Sequence, residues 1–296
     1  MVVASATEHH AVLDPVAARG GRFVAVDARG VIDLDALAAA LDDDVALVSV
    51  MAVNNEVGTI QPVAEVAELV RRRAPRALVH TDAVQAVSWL DLGDLASHVD
   101  LISISGHKFG GPKGVGALVV RDGSALAARS LGGGQERERR SGTQNVAGIV
   151  GLGEALRSTL ATRDDVVERT TKLRDRLLDG LLASVPDVVE TGAASDGSGA
   201  PDRSHRVAGI AHVCIAGVDS ESLLFLLEKA DLCASAASSC ASGAMEPSHV
   251  LAAMGVAPDL AGGSLRLSLG WSSTDADVDA ALAAIPPAVE RLRLFS

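Results

Sequence analysis

The sequence predicts an α/β protein with a mostly parallel sheet covered by helices on both faces, followed by a smaller α+β domain. Through residues 1–120, short apolar strands alternate with helical segments, which is typical of a parallel sheet. Beyond residue 150 this alternation gives way to longer helices and isolated strands. The chain has 296 residues, 48% of them hydrophobic, which is enough for a large core. We expect a large domain over 1–150, and a connecting helix with a small domain over 151–296.

The first half of the chain consists of alternating predicted strands and helices. Its apolar, β-branched runs predict strands over 1–5, 22–26, 45–53, 77–80, 101–104 and 115–120. The segments between them predict helices over 12–19, 33–41, 62–73, 84–88 and 94–97. Asp33 suits the N-cap of the second helix, because its carboxylate can accept hydrogen bonds from free backbone N–H groups. Pro62 suits the first turn of the third helix, whose terminal arginines complement the helix dipole.

The second half contains longer helices and segments rich in small residues. We expect a polar, glycine-rich segment at 131–145 and a helical tract at 146–184 that is broken near Thr162. Pro286 and Pro287 should kink the last helix. The other predicted strands and helices cover 207–215, 220–229, 247–254, 264–269 and 275–294, and loops are predicted at 191–205 and 233–243.

Composition excludes several functional classes. The net charge of −12 argues against a nucleic-acid partner, and no apolar run approaches the roughly 20 residues of a membrane span. The three cysteines, Cys214, Cys233 and Cys240, are odd in number, which argues for a reducing compartment without a disulfide framework. No signal peptide precedes the first strand, so we expect a cytoplasmic protein. We expect no metal site.

The stretch 101–114 carries the strongest chemical signal. An apolar run ends abruptly at Ser105, His107 and Lys108, and glycines at 110, 111 and 114 then rule out a simple helix. Open α/β sheets bind ligands at this end of their strands. A lysine held there can form a Schiff base with a carbonyl or with pyridoxal phosphate. The chain has only four lysines, although a surface lysine after a strand is an equally simple interpretation of this stretch alone.

Polar residues also end the other predicted parallel strands. His9, Asn55 and Asp82 with Gln85 follow strands whose carboxyl ends should meet Lys108 at one edge of the sheet. Each could be an ordinary turn or surface residue, but their joint arrival at strand ends suits pyridoxal phosphate. In this hypothesis, Asp82 keeps the ring nitrogen protonated, Lys108 holds the aldehyde, Asn55 and Gln85 bind the ring oxygen, and Ser105 and His107 reach the phosphate.

Several motifs in the chain match one known family, in the same order and at compatible spacing. They are Thr7-Glu-His9, Val53-Asn-Asn-Glu-Val-Gly58, His80-Thr-Asp-Ala-Val-Gln85, Ser105-Gly-His-Lys108, Gly111-Pro-Lys-Gly114, Arg140-Ser-Gly-Thr143, Ser239-Cys240 with Glu246-Pro-Ser248, and Leu265-Arg-Leu-Ser-Leu-Gly270. Across essentially the whole chain, they resemble the cysteine desulfurases of iron–sulfur cluster assembly. That family belongs to the class V branch of the fold-type I pyridoxal-phosphate enzymes, so the resemblance implies a fold-type I transferase.

The resemblance implies a role for each matching residue. Lys108 is the implied Schiff-base lysine, and His9 would stack on the cofactor ring and help to move protons. Asp82 would pair with the ring nitrogen, and Arg266 would grip the substrate carboxylate through its bidentate guanidinium. The remaining implied contacts are Asn55 and Gln85 to the ring oxygen or substrate, Ser105 and His107 to the phosphate, and Thr143 to the phosphate from the partner subunit of a dimer.

The resemblance also implies a reaction and its partners. The thiolate of Cys240 would attack the sulfur of cofactor-bound L-cysteine, leaving alanine and a Cys240 persulfide. The small residues of 234–246 would let that loop carry sulfur to an acceptor or an iron–sulfur scaffold protein. Cys214 and Cys233 are interpreted as structural, since a free cysteine is often a small core residue. Whether Cys240 transiently binds a cluster is left open.

Other functions stay open on sequence grounds. A selenocysteine lyase, or another class V lyase or aminotransferase, would use the same cofactor residues. A truncated, non-catalytic protein that binds a scaffold or a partner subunit is a third possibility, because family members carry a further N-terminal segment before the strand at 1–5. That segment includes a glycine- and threonine-containing turn at a helix N-terminus that binds the cofactor phosphate. We therefore expect an incomplete large domain and weakened cofactor binding.

Overall fold

The strands of the computed structural model, which describes residues 1–193, 201–236 and 248–294, form three sheets. Their bounds are β1 Val2–Ser5, β2 Arg22–Val24, β3 Leu47–Ser49, β4 Leu78–Asp82, β5 Leu101–Ser105, β6 Gly116–Val120, β7 Gly134–Gln135, β8 Arg140–Ser141, β9 Val188–Glu190, β10 Ile210–Ile215 and β11 Ser264–Ser268. The helices are α1 His10–Ala17, α2 Leu34–Ala40, α3 Val63–Arg73, α4 Leu92–His98, α5 Val146–Ser184, α6 Ser220–Glu228, α7 His249–Ala253, α8 Pro258–Ala261 and α9 Asp275–Arg293.

The large sheet has the strand order β2-β1-β3-β4-β5-β6. Its first five strands are parallel, and β6 pairs antiparallel with β5 at one edge. The mostly parallel sheet predicted from the sequence is thus confirmed. Because β1, β3, β4 and β5 are adjacent and parallel, the residues that follow them lie along one edge of the sheet. This edge is where the candidate site is found.

Helix α3 shows how the sequence builds the core of the large sheet. Its apolar residues recur at helical spacing, and Val63, Val66, Ala67 and Val70 are all buried. They pack in one cluster with strand residues such as Val48 and with residues of neighbouring helices. Asp33 caps α2 as predicted, since its carboxylate accepts hydrogen bonds from the N–H groups of residues 35 and 36.

The second half forms a smaller three-stranded antiparallel sheet of order β11-β10-β9. Strand β10 is buried along its whole length, and its apolar residues pack against α5, α6 and α9. The core residues of this part include Leu178, Leu223, Leu265 and Ile285. On the basis of these separate cores, we propose 1–150 as the large domain, and 151–296 as the connecting helix and small domain.

Three local predictions were wrong. Residues 84–88 form turns instead of a helix, because the Asp82 carboxylate accepts the Val84 N–H at 2.9 Å and starts a turn. A strand was predicted over the apolar run at 45–53, but β3 covers only Leu47–Ser49. Beyond Ser49, the Met51 N–H donates to the Glu8 carboxylate instead of to a neighbouring strand. Helix α5 runs unbroken through Thr162, whose hydroxyl donates to the Ser158 carbonyl at 3.2 Å.

The last helix is long and contains two prolines. Helix α9 is continuous from Asp275 to Arg293, with Pro286 and Pro287 inside it. Within the ranges that the structure describes, no helix combines the length and the apolar character needed to cross a membrane.

Candidate active site at the strand ends

His9 lies in the short connection between β1 and α1, at the N-cap of α1. Its Nδ1 accepts a hydrogen bond from the Ala11 N–H at 3.1 Å, so Nδ1 carries no proton and neutral His9 is protonated at Nε2. The cap therefore fixes both the ring position and its tautomer. The chain that leads to His9 is held in turn, because Ser5 and Thr7 are buried and their hydroxyls lie 3.0 Å apart.

The loop between β3 and α3 contacts a strand of the small sheet. The buried Asn54 side chain accepts hydrogen bonds from the Glu56 and Val57 N–H groups and donates to the Thr7 carbonyl at 3.1 Å. This arrangement fixes the turn that presents Asn55. The Asn55 carbonyl accepts a hydrogen bond from Nη1 of Arg266 at 2.9 Å, so the predicted substrate-binding arginine reaches this loop from β11.

Asp82 ends β4 and is 9% exposed. One carboxylate oxygen accepts the Val84 N–H, which turns the chain so that the half-buried Gln85 follows within the same turn region. The Asp82 carbonyl accepts the Ala52 N–H at 2.9 Å, which ties this strand end to the loop beyond β3. The structure thus places Asp82 between the ends of β3 and β5.

Lys108 follows β5 in a 3₁₀ turn that spans Gly106–Phe109. The turn ends at Gly110, whose φ of 87° lies in the left-handed region that favours glycine. Lys108 is exposed, and among the described residues it makes no ion pair. Beside it, the Ser105 hydroxyl lies 2.9 Å from Nδ1 of His107, so these two predicted phosphate ligands are already held together.

Arg266 is a half-buried cation on β11 with free donor capacity. Its backbone pairs with Ser235, with N–O distances of 2.7 and 3.1 Å. In the described part of the chain, its buried Nε has no hydrogen-bond partner. His212 is its cross-strand neighbour on β10, and burial lowers the pKa of His212 to about 3, so this imidazole is neutral at physiological pH. Arg266 can therefore bind an anion such as a carboxylate.

Two predicted site residues, Thr143 and Cys240, are not among the described residues at the strand ends. Thr143 is exposed in a surface groove of about 530 Å³ that is lined mainly by the glycine-rich 132–146 segment. Cys240, the predicted nucleophile, lies outside the described residues, as do Ser239, Glu246 and Pro247 of its motif.

The other two cysteines differ from each other in environment. Cys214 is fully buried on β10, and burial raises the pKa of its thiol to about 12, which is consistent with a structural role. Cys233 was expected to be a small core residue, but its side chain is exposed. It lies after the end of α6, where the neighbouring Leu232 and Ala234 pack against the core.

Sequence reasoning missed two buried carboxyl groups at the site. Glu56 is 6% exposed, its carboxylate accepts a hydrogen bond from the Ser248 hydroxyl, and burial raises its pKa to about 7. Glu8 is fully buried between His9 and β3. Both residues stand inside the motifs quoted above, and the only available signal was their position next to His9 and Asn55.

Glu8 is the more perturbed of these two groups. Its carboxylate accepts the Met51 N–H at 2.5 Å, and the Ser49 hydroxyl lies 3.5 Å from its other oxygen. Burial raises the pKa of Glu8 from 4.5 to about 8, and the negative charge of Asp82 acts in the same direction. Glu8 is therefore a neutral carboxylic acid at pH 7.

We expect Glu8→Gln to stabilise the protein, increasingly so as pH rises from about 4.5 to 8. In that window the unfolded chain ionises Glu8 while the folded chain keeps it protonated, so folding stability falls as pH rises. One pKa unit corresponds to about 1.4 kcal/mol, so the difference from wild type should approach about 5 kcal/mol above pH 8. Urea unfolding at pH 5 and pH 8 measures it. Glu65→Gln, on the exposed face of α3, is the matched control, and an equal pH response in both variants would contradict the assignment.

Comparison with known proteins places the chain beside enzymes of one kind. Residues 1–281 match the family described as class-V aminotransferase. The chain is 41% identical to a cysteine desulfurase IscS of Methanosarcina thermophila over 100% of its own length and 71% of the relative. It is 45% identical to an IscS-like cysteine desulfurase of Mycobacterium tuberculosis, over 99% of the chain and 74% of the relative. A cysteine desulfurase of Nostoc sp. is 42% identical, over 93% of the chain and 66% of the relative.

Solved structures give the same result. A NifS-like protein superposes with a TM-score of 0.85 at 35% identity, covering 98% of this chain and 75% of the other. DndA from Streptomyces lividans superposes with a TM-score of 0.73 at 38% identity, covering 91% and 74%. The chain thus spans about two thirds to three quarters of the length of the proteins that it matches.

Proposed function

The chain belongs to the class-V aminotransferase family, in which its relatives are cysteine desulfurases, and from this premise we propose that it takes sulfur from L-cysteine with the help of pyridoxal phosphate. The products are L-alanine and a persulfide on Cys240. The observation that carries the proposal is the placement of an amine, a carboxylate and an imidazole, from Lys108, Asp82 and His9, at the carboxyl ends of β5, β4 and β1 along one edge of the sheet.

The residues at this edge fit pyridoxal phosphate chemically. The site offers a primary amine for the aldehyde, a mostly buried carboxylate for a ring nitrogen, and a paired hydroxyl and imidazole for a phosphate. In addition, the buried Nε of Arg266 lacks a partner within the described ranges, which suits a site that receives an anionic substrate.

We assign the cofactor contacts residue by residue. Lys108 would hold the aldehyde carbon, and Asp82 would hold the ring nitrogen. When bound, the cofactor supplies an electron sink for bonds at the substrate amino acid's carbon atoms. The other assigned contacts are His9 to the ring face, Asn55 and Gln85 to the ring oxygen, Ser105 and His107 to the phosphate, and Thr143 to the phosphate of a second copy.

Two side chains would act directly on the substrate. Arg266 would bind its carboxylate, held in place by the hydrogen bond from Nη1 to the Asn55 carbonyl. His9 would hold or release a proton at Nε2, since its Nδ1 is occupied by the Ala11 N–H. The fixed tautomer therefore determines which ring atom can serve as the acid or base.

Cys240 is assigned as the sulfur acceptor. In the net reaction, the sulfur of L-cysteine leaves its carbon and bonds to the Cys240 sulfur, while the carbon takes up hydrogen to give alanine. This balance needs no external oxidant. From Cys240, sulfur would pass to an acceptor or iron–sulfur scaffold protein in the cytoplasm, where the thiols stay reduced.

A second copy of the chain would complete the enzyme. Leu131, Val146 and Val150 are 84%, 64% and 65% exposed, and they flank the loop that carries Thr143. Large apolar side chains grouped on a surface are typical of protein–protein interfaces. We therefore propose a homodimer that uses this face and brings Thr143 to the partner's cofactor.

The proposal is tested by supplying the purified chain with pyridoxal phosphate and either L-cysteine or L-selenocysteine. Equimolar alanine and sulfide from L-cysteine under reducing conditions is the expected result. Turnover of selenocysteine alone would instead indicate a selenocysteine lyase. Failure to turn over either substrate, despite bound cofactor, would favour another class V reaction or a non-catalytic role.

Arg266→Lys should raise the KM for L-cysteine by about 10–100-fold. A lysine keeps the charge but loses the paired N–H donors, and a hydrogen bond to a charged group contributes about 1.5–3 kcal/mol. Cofactor affinity should change little. Steady-state kinetics and a pyridoxal phosphate titration measure the two effects. Arg157→Lys, an exposed α5 arginine paired with Glu154, is the control, and an unchanged KM in Arg266→Lys would remove Arg266 from substrate binding.

A further inference from the structure

A row of hydrogen-bonding side chains crosses the large sheet beneath the candidate site. The Glu8 carboxyl lies 3.5 Å from the Ser49 hydroxyl, and that hydroxyl lies 2.8 Å from Nδ1 of His80. Nε2 of His80 lies 2.9 Å from the Ser103 hydroxyl. The row thus links the chain just beyond β1 to β3, β4 and β5, and we call these four residues the buried row.

The buried row lies beside Asp82. Ser49 and His80 are register partners on β3 and β4, and Asp82 is the register partner of Ser103. His80 and Asp82 are two residues apart on one strand, so their side chains share a face of the sheet. At the other end of the row, Glu8 directly precedes His9. One end of the row therefore lies next to Asp82, the proposed ring-nitrogen ligand, and the other end lies next to His9, the proposed acid–base residue.

The groups around Glu8 come from four places in the fold. His80 and Asp82 approach from β4, and the Met51 N–H donates from the chain beyond β3. His249 of α7 lies with its Nε2 2.9 Å from the Glu8 carbonyl, and His10 stacks edge-on against His249. Among the described residues, no lysine or arginine forms an ion pair with Glu8.

We propose that Glu8 is a positioning residue that acts through Asp82 by holding an exchangeable proton at one end of the buried row. With Glu8 protonated, its O–H points to Ser49, the Ser49 O–H to Nδ1 of His80, and the Nε2–H to Ser103. When Glu8 loses its proton, all three bonds reverse and the His80 proton lies on Nδ1. The two arrangements differ by one proton, which passes to solvent.

This reversal changes the electric field at Asp82. The inference rests on the proposed function, because that function assigns Asp82 to the cofactor ring nitrogen. Burial raises the pKa of Glu8 to about 8 and lowers the pKa of His80, so the row stays uncharged at neutral pH. Loss of the proton near pH 8 puts a new negative charge beside the ring-nitrogen ligand. The absorbance of bound pyridoxal phosphate should respond, because it depends on the charges around the ring.

The experiment is an absorbance titration of the holoenzyme between pH 6.5 and 9.5. We expect wild type to show a step with its midpoint near pH 8, and Glu8→Gln to lack that step, because the amide keeps the Met51 hydrogen bond but cannot ionise. Ser49→Ala cuts the row while leaving Glu8 in place, so its midpoint should shift by about half a pH unit or more. Glu56→Gln is the matched control with a buried carboxyl off the row, and it should keep the step.

Two results would overturn the inference. An identical step in wild type and Glu8→Gln would assign the titration to another group, and an unshifted midpoint in Ser49→Ala would show that the row does not transmit the charge. Both leave the proposed function standing, since pyridoxal phosphate is bound in each case. If wild type binds no pyridoxal phosphate, the proposed function itself fails, and this role of Glu8 fails with it.

Discussion

Replacing Lys108 by alanine should lower the rate of sulfide release from L-cysteine by at least about a thousandfold, within the range seen when the side chain that forms an enzyme's covalent bond is removed. Lys108 is the assigned amine for the cofactor aldehyde, and it lies in the turn after β5 beside Ser105 and His107. The other lysine of this segment, Lys113, is also exposed. Sulfide assays of both alanine variants measure the difference.

Lys113→Ala is the control for this prediction, because it removes an equal charge from the same glycine-rich segment. It should retain most of the activity of wild type. If the two variants lose activity equally, the loss reflects local folding after β5. If only Lys113→Ala is inactive, the cofactor lysine has been assigned to the wrong position.

Cys240→Ser should release sulfide at a rate lower by on the order of a hundredfold or more, since a hydroxyl is a far poorer sulfur acceptor than a thiolate. The variant should still bind pyridoxal phosphate and L-cysteine, because Lys108, Asp82 and Arg266 are unchanged. We therefore expect the cofactor absorbance to respond to L-cysteine without product formation.

Cys233→Ser is the matched control, since Cys233 is the exposed thiol among the described residues. It should release sulfide normally. Cys214 is a poor candidate because burial raises the pKa of its thiol to about 12. Normal sulfide release by Cys240→Ser would move the nucleophile to Cys233.

The sequence was sufficient to predict the parts of the fold that depend on periodicity. The alternation of apolar strands and helices predicted the parallel sheet, and the abrupt end of the apolar run at Ser105 predicted the position of Lys108. Capping chemistry predicted Asp33 as an N-cap. These features are local, so the residues that cause them stand next to one another in the chain.

Long-range contacts explain what sequence reasoning missed. Nothing near Glu8 in the chain indicates that the Met51 N–H would meet its carboxylate 43 residues away, or that both would be buried. The end of β3 at Ser49 follows from the same contact. Thr162 was expected to break α5, but its hydroxyl bonds back to the preceding turn and the helix continues.

The proposed site residues also divide into those that local sequence signals could group and those that depend on long-range contacts. His9, Asp82 and Lys108 could be grouped from sequence because parallel strands bring their carboxyl ends together. The approach of Arg266 to Asn55 joins residues 211 positions apart, and only the resemblance to a family indicated it. Cys240 rests on the resemblance alone, because it lies outside the described residues.

We propose that the strand-end edge around Lys108 is the cofactor site. Its most direct test is to load the chain with pyridoxal phosphate, reduce it with borohydride and locate the covalent label by peptide mass spectrometry. We expect a single labelled residue, Lys108. A label on Lys113, Lys172 or Lys229, or no label in a chain that nevertheless releases sulfide, would contradict it.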